Sequence, residues 1–190
     1  MTAADRMPKE FRRRSDVKSG LESRSTISRA SSRLGTDCTV SRVAYVYLPA
    51  ISRTEAGELL RSLEGHGFQV TRIGKNDPPK KRRVTLEEAV DLILSSDGKS
   101  VTNCTFIEDD ATNISVSFEI RTDVRWGFSS VSISYPESIP SKVLCGEIFR
   151  RTRPFACVSR RVSGGKEQTW DIRLIGDDCP EFIRAKLQVP

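Results

Sequence analysis

Between Val101 and Tyr135 the chain presents three consecutive β-type runs with no helical pattern among them, and this succession most narrows the folds open to it. Cys104 to Glu108 and the set Ile114, Val116, Phe118 and Ile120 flank Asp109-Asp110-Ala111-Thr112-Asn113, whose residue types suit the connection of a hairpin. The second run alternates apolar and polar residues cleanly, as a half-buried strand does. Phe128 to Tyr135 forms the third, with Val131, Ile133 and Tyr135 on one side. A doubly wound parallel fold would insert a helix after each strand, so strands in direct succession predict a mainly antiparallel sheet.

The flanking segments add helices. Val43 to Leu48 is a short apolar and aromatic run ended by Pro49, which reads as a buried strand. Ser52-Arg53-Thr54-Glu55 is a capping box ahead of Ala56, Leu59, Leu60 and Leu63, which share one helical face, and Gly65 and Gly67 supply the left-handed stop. Phe68 to Ile73 reads as a strand. Thr85-Leu86-Glu87-Glu88 is a second capping box heading Leu86, Ala89, Val90, Ile93 and Leu94, closed by Asp97-Gly98. Val143, Leu144, Ile148 and Phe149 predict a third helix stopped by Pro154. Phe155 to Val162 and Thr169 to Ile175 predict a final hairpin turned at Ser163-Gly164-Gly165-Lys166, with Trp170, Ile172 and Leu174 pointing inward; Pro180 to Leu187 predicts a short helix. The expected architecture is α+β: a single domain over residues 39–188, a mainly antiparallel sheet with helices packed on one face, in the order β-α-β-α-β-β-β-α-β-β. The first βαβ unit leaves room for one parallel pair.

Charge divides the chain differently. Residues 1–36 hold nine Lys/Arg against four Asp/Glu and seven serines, which leaves 22 against 21 in the remainder. The sequence pI near 9.2 therefore describes the leader more than the domain. Few large apolar residues recur there, so residues 1–36 are expected to be a disordered basic Arg/Ser-rich leader. No apolar run reaches the length of a membrane span and no secretory signal is evident, so the expectation is a cytoplasmic protein without a membrane partner, or a nuclear one if the source is eukaryotic. Cys38, Cys104, Cys145, Cys157 and Cys179 form no CxxC pair and are expected to be reduced, small hydrophobes.

Candidate sites follow from charge and aromatics. Lys80, Lys81, Arg82 and Arg83 form a cationic loop suited to phosphates or to nuclear import, and Arg12, Arg13 and Arg14 in the leader offer a second basic group for nucleic acid. Trp126 beside Arg125, at a hairpin end, is the aromatic most readily placed on a surface for protein contact. Tyr45, Tyr47, Phe106, Phe118, Phe128 and Tyr135 lie at strand positions that suit a core. His66 is the single histidine and sits at a helix C-terminus, where its expected role is capping. Glu108, Asp109 and Asp110 with Glu119 and Arg121 offer carboxylates to hold Mg²⁺ for phosphodiester hydrolysis, with Arg121 where some such nucleases carry a lysine, but Asp109-Asp110 sits where the hairpin needs turn residues, and the turn is the preferred reading. The chain holds no GxSxG, P-loop, HExxH or dinucleotide fingerprint. These observations rank a non-enzymatic, intracellular protein-binding module first, of inhibitor or immunity type, with another protein as partner and no cofactor. A nucleic-acid-associated protein comes second and a metal-dependent hydrolase third.

Overall fold

Both capping boxes form. In the computed structural model, which describes residues 41–80, 83–95, 102–121, 128–163 and 166–188, Ser52 Oγ accepts from the Glu55 N–H at 3.4 Å while the Glu55 carboxylate accepts from the Ser52 N–H at 3.0 Å. Thr85 and Glu88 repeat the exchange at 3.2 and 2.9 Å. Each box satisfies two donors that a helix start leaves unpaired. They head α1 (Arg53–Glu64) and α2 (Leu86–Leu94). A third helix, α3 (Ser141–Thr152), and a short α4 (Glu181–Lys186) both follow prolines.

Seven strands complete the domain: β1 (Ser41–Leu48), β2 (Arg72–Gly74), β3 (Thr102–Asp109), β4 (Ile114–Arg121), β5 (Ser129–Pro136), β6 (Ala156–Ser163) and β7 (Lys166–Ile175). They form one sheet in the order β2-β3-β4-β5-β1-β6-β7, and every neighbouring pair is antiparallel. The α+β architecture expected from the succession of strands is the one observed. The parallel pair is not formed, because both edges of β1 are taken by β5 and β6 while β2 lies at the far margin beside β3.

β2 is also shorter than the run from Phe68 to Ile73 suggested. The Gln69 N–H donates to Asp109 Oδ2 at 2.6 Å, so a side chain takes a donor that a ladder would otherwise use. Gly67, at φ +84°, turns the chain so that the Phe68 ring enters the core.

The helices α1, α2 and α3 cover one sheet face, where Ala44, Val46, Leu48, Ile107, Val116, Phe118, Val131 and Ile133 join the helical leucines and isoleucines in the main core. The expectation that the helices share one face holds for these three and fails for α4, which lies on the opposite face because its own apolar residues meet those of β1 and β6 that point away from the main core. There Ile183 and Leu187 pack with Tyr47, Phe128, Ala156 and Val158 in a second, smaller cluster. α1 and α3 are joined at their outer surface by Glu58, which accepts from Arg61 at 2.7 Å and Arg151 at 3.2 Å; Arg151 also donates to Glu147 at 3.1 Å. The Arg151 hydrogen bond, then that of Arg61, holds the Glu58 carboxyl below its usual range. His66 Nε2 approaches Glu147 to 3.6 Å, so the imidazole faces α3.

One residue in α3 is open to improvement. A Cβ built on Gly146 meets nothing within 4 Å, and the backbone there is helical. Gly146→Ala is expected to raise stability by about 0.5–1 kcal/mol, because alanine narrows the unfolded ensemble and favours helix. A urea titration should show a higher midpoint at an unchanged slope.

Candidate binding surface

Antiparallel register assigns each outward side chain its neighbours, and three cross-strand rows describe the face opposite α1, α2 and α3. The first runs Arg72, Glu108, Ser115, Ser134, Val43, Arg160, Trp170. The second runs Gly74, Phe106, Ser117, Ser132, Tyr45, Val158, Arg173. The third runs Cys104, Glu119, Ser130, Tyr47, Ala156, Ile175. The middle of the face is thus floored by Ser115, Ser117, Ser130, Ser132 and Ser134, all half-buried. Glu119 accepts from Ser130 Oγ at 3.3 Å.

One side of this floor rises to an aromatic shoulder. The Phe128 and Tyr47 centroids are 6.3 Å apart, those of Phe128 and Phe182 are 5.6 Å apart, and Tyr45 meets Trp170 edge-on at 6.5 Å. The Arg160 guanidinium stacks 3.5 Å over Trp170 and the Lys186 ammonium lies 5.6 Å from the Tyr47 centroid. Phe182 remains 42% exposed, one of two large hydrophobics so placed among the described residues, the other being Val143 on α3. The alternation of the serine-bearing strands is legible in the sequence; that the serines of the two strands align side by side is not, because alignment comes from register.

Trp170 corrects an expectation. The sequence pattern puts it inward with Ile172 and Leu174, but the register slips between Ser159 and Arg160, so that Arg160 faces Trp170 while Ser159 faces Ile172. Asp171 is the extra residue of a β-bulge, which moves Trp170 to the α4 side and leaves Ile172 and Leu174 against the main core. Of the other aromatics, Phe118 and Tyr135 enter the main core and Tyr47 and Phe128 the second cluster, as expected, whereas Tyr45 and Phe106 are only half-buried in the outward rows.

The nominated charges are placed apart. Lys80 and Arg83 are exposed in a segment laid along β2, where the Ile73 N–H donates to Lys80 O at 3.2 Å. Lys81, Arg82, Arg12, Arg13, Arg14, Arg125 and Trp126 lie outside the described residues, as does the Arg121 side chain. Arg72 holds Glu108 at 3.2 Å and Asp110 at 2.8 Å, while Asp109 turns to the other side of the strand, 3% exposed, and accepts from the Gln69 and Ala111 N–H groups. The acids therefore diverge, and among the described residues no three of His, Cys, Asp or Glu gather as a metal site would need. A cleft of about 230 Å³ between α1 and α2 contains Arg53 and Arg61, but these pair with Asp91 and Glu58.

A buried polar cluster marks the start of α3. The Tyr135 hydroxyl lies 2.6 Å from Ser159 Oγ and donates to Ser141 Oγ at 3.0 Å. Ser141 in turn donates to Asp171 Oδ2 at 3.2 Å and accepts from Arg42 at 3.0 Å. Burial pushes the Tyr135 hydroxyl above its ordinary value, partly offset by the Ser141 and Ser159 hydrogen bonds. Above about pH 10 the unfolded chain releases this proton while the folded chain retains it. This contribution is therefore complete below pH 10 and is lost as pH rises toward the folded value, with a slope of up to about 1.4 kcal/mol per pH unit. Urea titrations from pH 9 to 11 should show a steeper decline for the wild type than for Tyr135→Phe.

The cysteines Cys145 and Cys157 are buried in the main core, and the Cys157 thiol is pushed well up by its hydrogen bond to Cys145 and by burial. Cys179 is buried beside α4 and Cys104 is half-buried. Among the described residues no helix is long and apolar enough to cross a membrane. No protein-family model, no curated protein and no solved structure matches this chain.

Proposed function

We propose that this chain is a non-enzymatic protein-binding module, and that the serine-floored face beside α4 is where it takes its partner. The observation that carries this reading is the half-exposed Phe182 ring standing on Phe128 at the margin of a sheet face that α1, α2 and α3 leave open. Aromatic anchors beside a weakly charged surface are what protein interfaces concentrate. With Phe106 of β3 beside it, the floor spans β3 to β5, about 10 Å from strand to strand, and about 14 Å along β5 from Ser130 to Ser134. That is about a sixth of the area each partner contributes to a standard interface. It suits one extended segment of a partner, with the shoulder adding the rest. An inhibitor or immunity-type role falls within this reading.

Ser132 is central in that floor, between Ser117 and Tyr45. Ser132→Arg is expected to weaken capture of the partner at least tenfold, about 1.4 kcal/mol, while Glu87→Arg on the helical layer leaves it unchanged. Capture by crosslinking, followed by titration of the purified partner and circular dichroism of each variant, tests this. Equal effects from the two variants would remove the reading. Nucleic-acid binding stands second, on the exposure of Lys80 and Arg83, neither of which makes an ion pair among the described residues. Anisotropy of labelled duplex DNA that fell on replacing both by alanine, and ignored Ser132→Arg, would put it first.

A further inference from the structure

We infer that the segment this face takes carries an aromatic side chain and a carboxylate two residues apart, the ring meeting Phe182 and the acid meeting Lys186; the inference rests on the reading of the face as a protein-binding surface. α4 sets Phe182 and Lys186 four residues apart, so both leave the same side of the helix, with Cβ atoms about 6 Å apart. An extended chain sets residues i and i+2 on one side at about 7 Å. The two spacings match, which gives the pattern aromatic-x-acid in either chain direction.

Each half of the pattern has its own support. Phe182 makes a tilted pair with Phe128 at 46° and still leaves 42% of its surface open, so a further ring extends an existing stack instead of starting one. Among the cations around α4, Arg173 donates to the carbonyls of Leu187 and Gln188, and Arg184 to those of Gly176, Asp177 and Cys179. Both are committed to the chain itself. Lys186 is exposed and makes no ion pair among the described residues, and its ammonium lies 5.6 Å from the centroid of the Tyr47 ring. The acids near α4, Asp177, Asp178 and Glu181, all fall at or before its first residue. A basic segment would meet Lys186 with like charge, and a wholly apolar one would strip its water without a counter-charge.

Selection of random peptides displayed against the full chain tests this. Enriched peptides are expected to carry Phe, Tyr or Trp two residues from Asp or Glu. Phe182→Ala should remove the aromatic preference, and Lys186→Glu should turn the acidic preference to Lys or Arg; both residues are exposed, so each variant is expected to fold. A synthetic peptide of the selected pattern should bind each variant at least tenfold more weakly than the wild type. Enriched peptides without the pair, a charge preference unmoved by Lys186→Glu, or no enrichment at all would overturn the inference. Peptides without the pair that Ser132→Arg still rejects would leave the binding face standing, whereas peptides indifferent to Ser132→Arg would remove both.

Discussion

Replacing Phe118 by alanine is expected to remove about 3–5 kcal/mol of stability, the largest loss from any single substitution considered for this protein. Phe118 is fully buried on β4, a strand with neighbours on both sides, and lies in register between Thr105 and Val131 under the helical layer. Its ring is held on all sides, so little collapse can refill the void, and the cavity cost adds to the lost transfer free energy. Because a domain of this size is stable by only about 5–15 kcal/mol, the variant is best compared by the midpoint of a urea titration at low temperature. Ser117→Ala, one residue earlier and facing the open floor, should change stability by less than about 0.5 kcal/mol. Similar losses from the two would mean that β4 does not present Phe118 to the core.

The second large effect is at Asp109. Its carboxylate accepts from the Gln69 N–H at 2.6 Å and the Ala111 N–H at 2.9 Å, and so anchors the entry to β2 and the β3–β4 turn together. Asp109→Ala would leave two backbone donors without their partner, a loss of about 2–4 kcal/mol. Asp110 is a control one residue away: its side chain is 56% exposed and it pairs with Arg72 at the surface, an arrangement worth less than about 1 kcal/mol. Thermal unfolding of Asp109→Ala and Asp110→Ala should therefore separate clearly. A hydrolase built on these acids would instead lose Mg²⁺-dependent activity on Asp110→Asn with little change in stability, so the same pair of positions distinguishes a structural carboxylate from a catalytic one.

Local patterns carried much of this molecule. Ser52 with Glu55 and Thr85 with Glu88 needed no tertiary information, because each capping exchange closes within four residues. The alternation of Ile114, Val116, Phe118 and Ile120 likewise announced its own core face. The departures lie where a distant group intervened. Asp109 took a backbone donor from the segment that was expected to be strand, and a bulge at Asp171 carried Trp170 across the sheet. Nothing near Gln69 or Trp170 in the chain signals either event.

The candidate surface divides in the same way. Period-two alternation determined that Ser115 and Ser117, and Ser130, Ser132 and Ser134, would leave the core face of their own strands, since successive side chains on a strand point to opposite sides. Tertiary structure decided that these two sets would lie next to each other, with Tyr45 and Tyr47 beside them and Phe182 at their margin. Strand order and register are set by pairing between segments far apart in the chain, and by how the apolar faces of α1, α2, α3 and α4 share the two sides of one sheet. The sequence by itself determined which residues avoid the core, and only the folded sheet determined which of them became a surface.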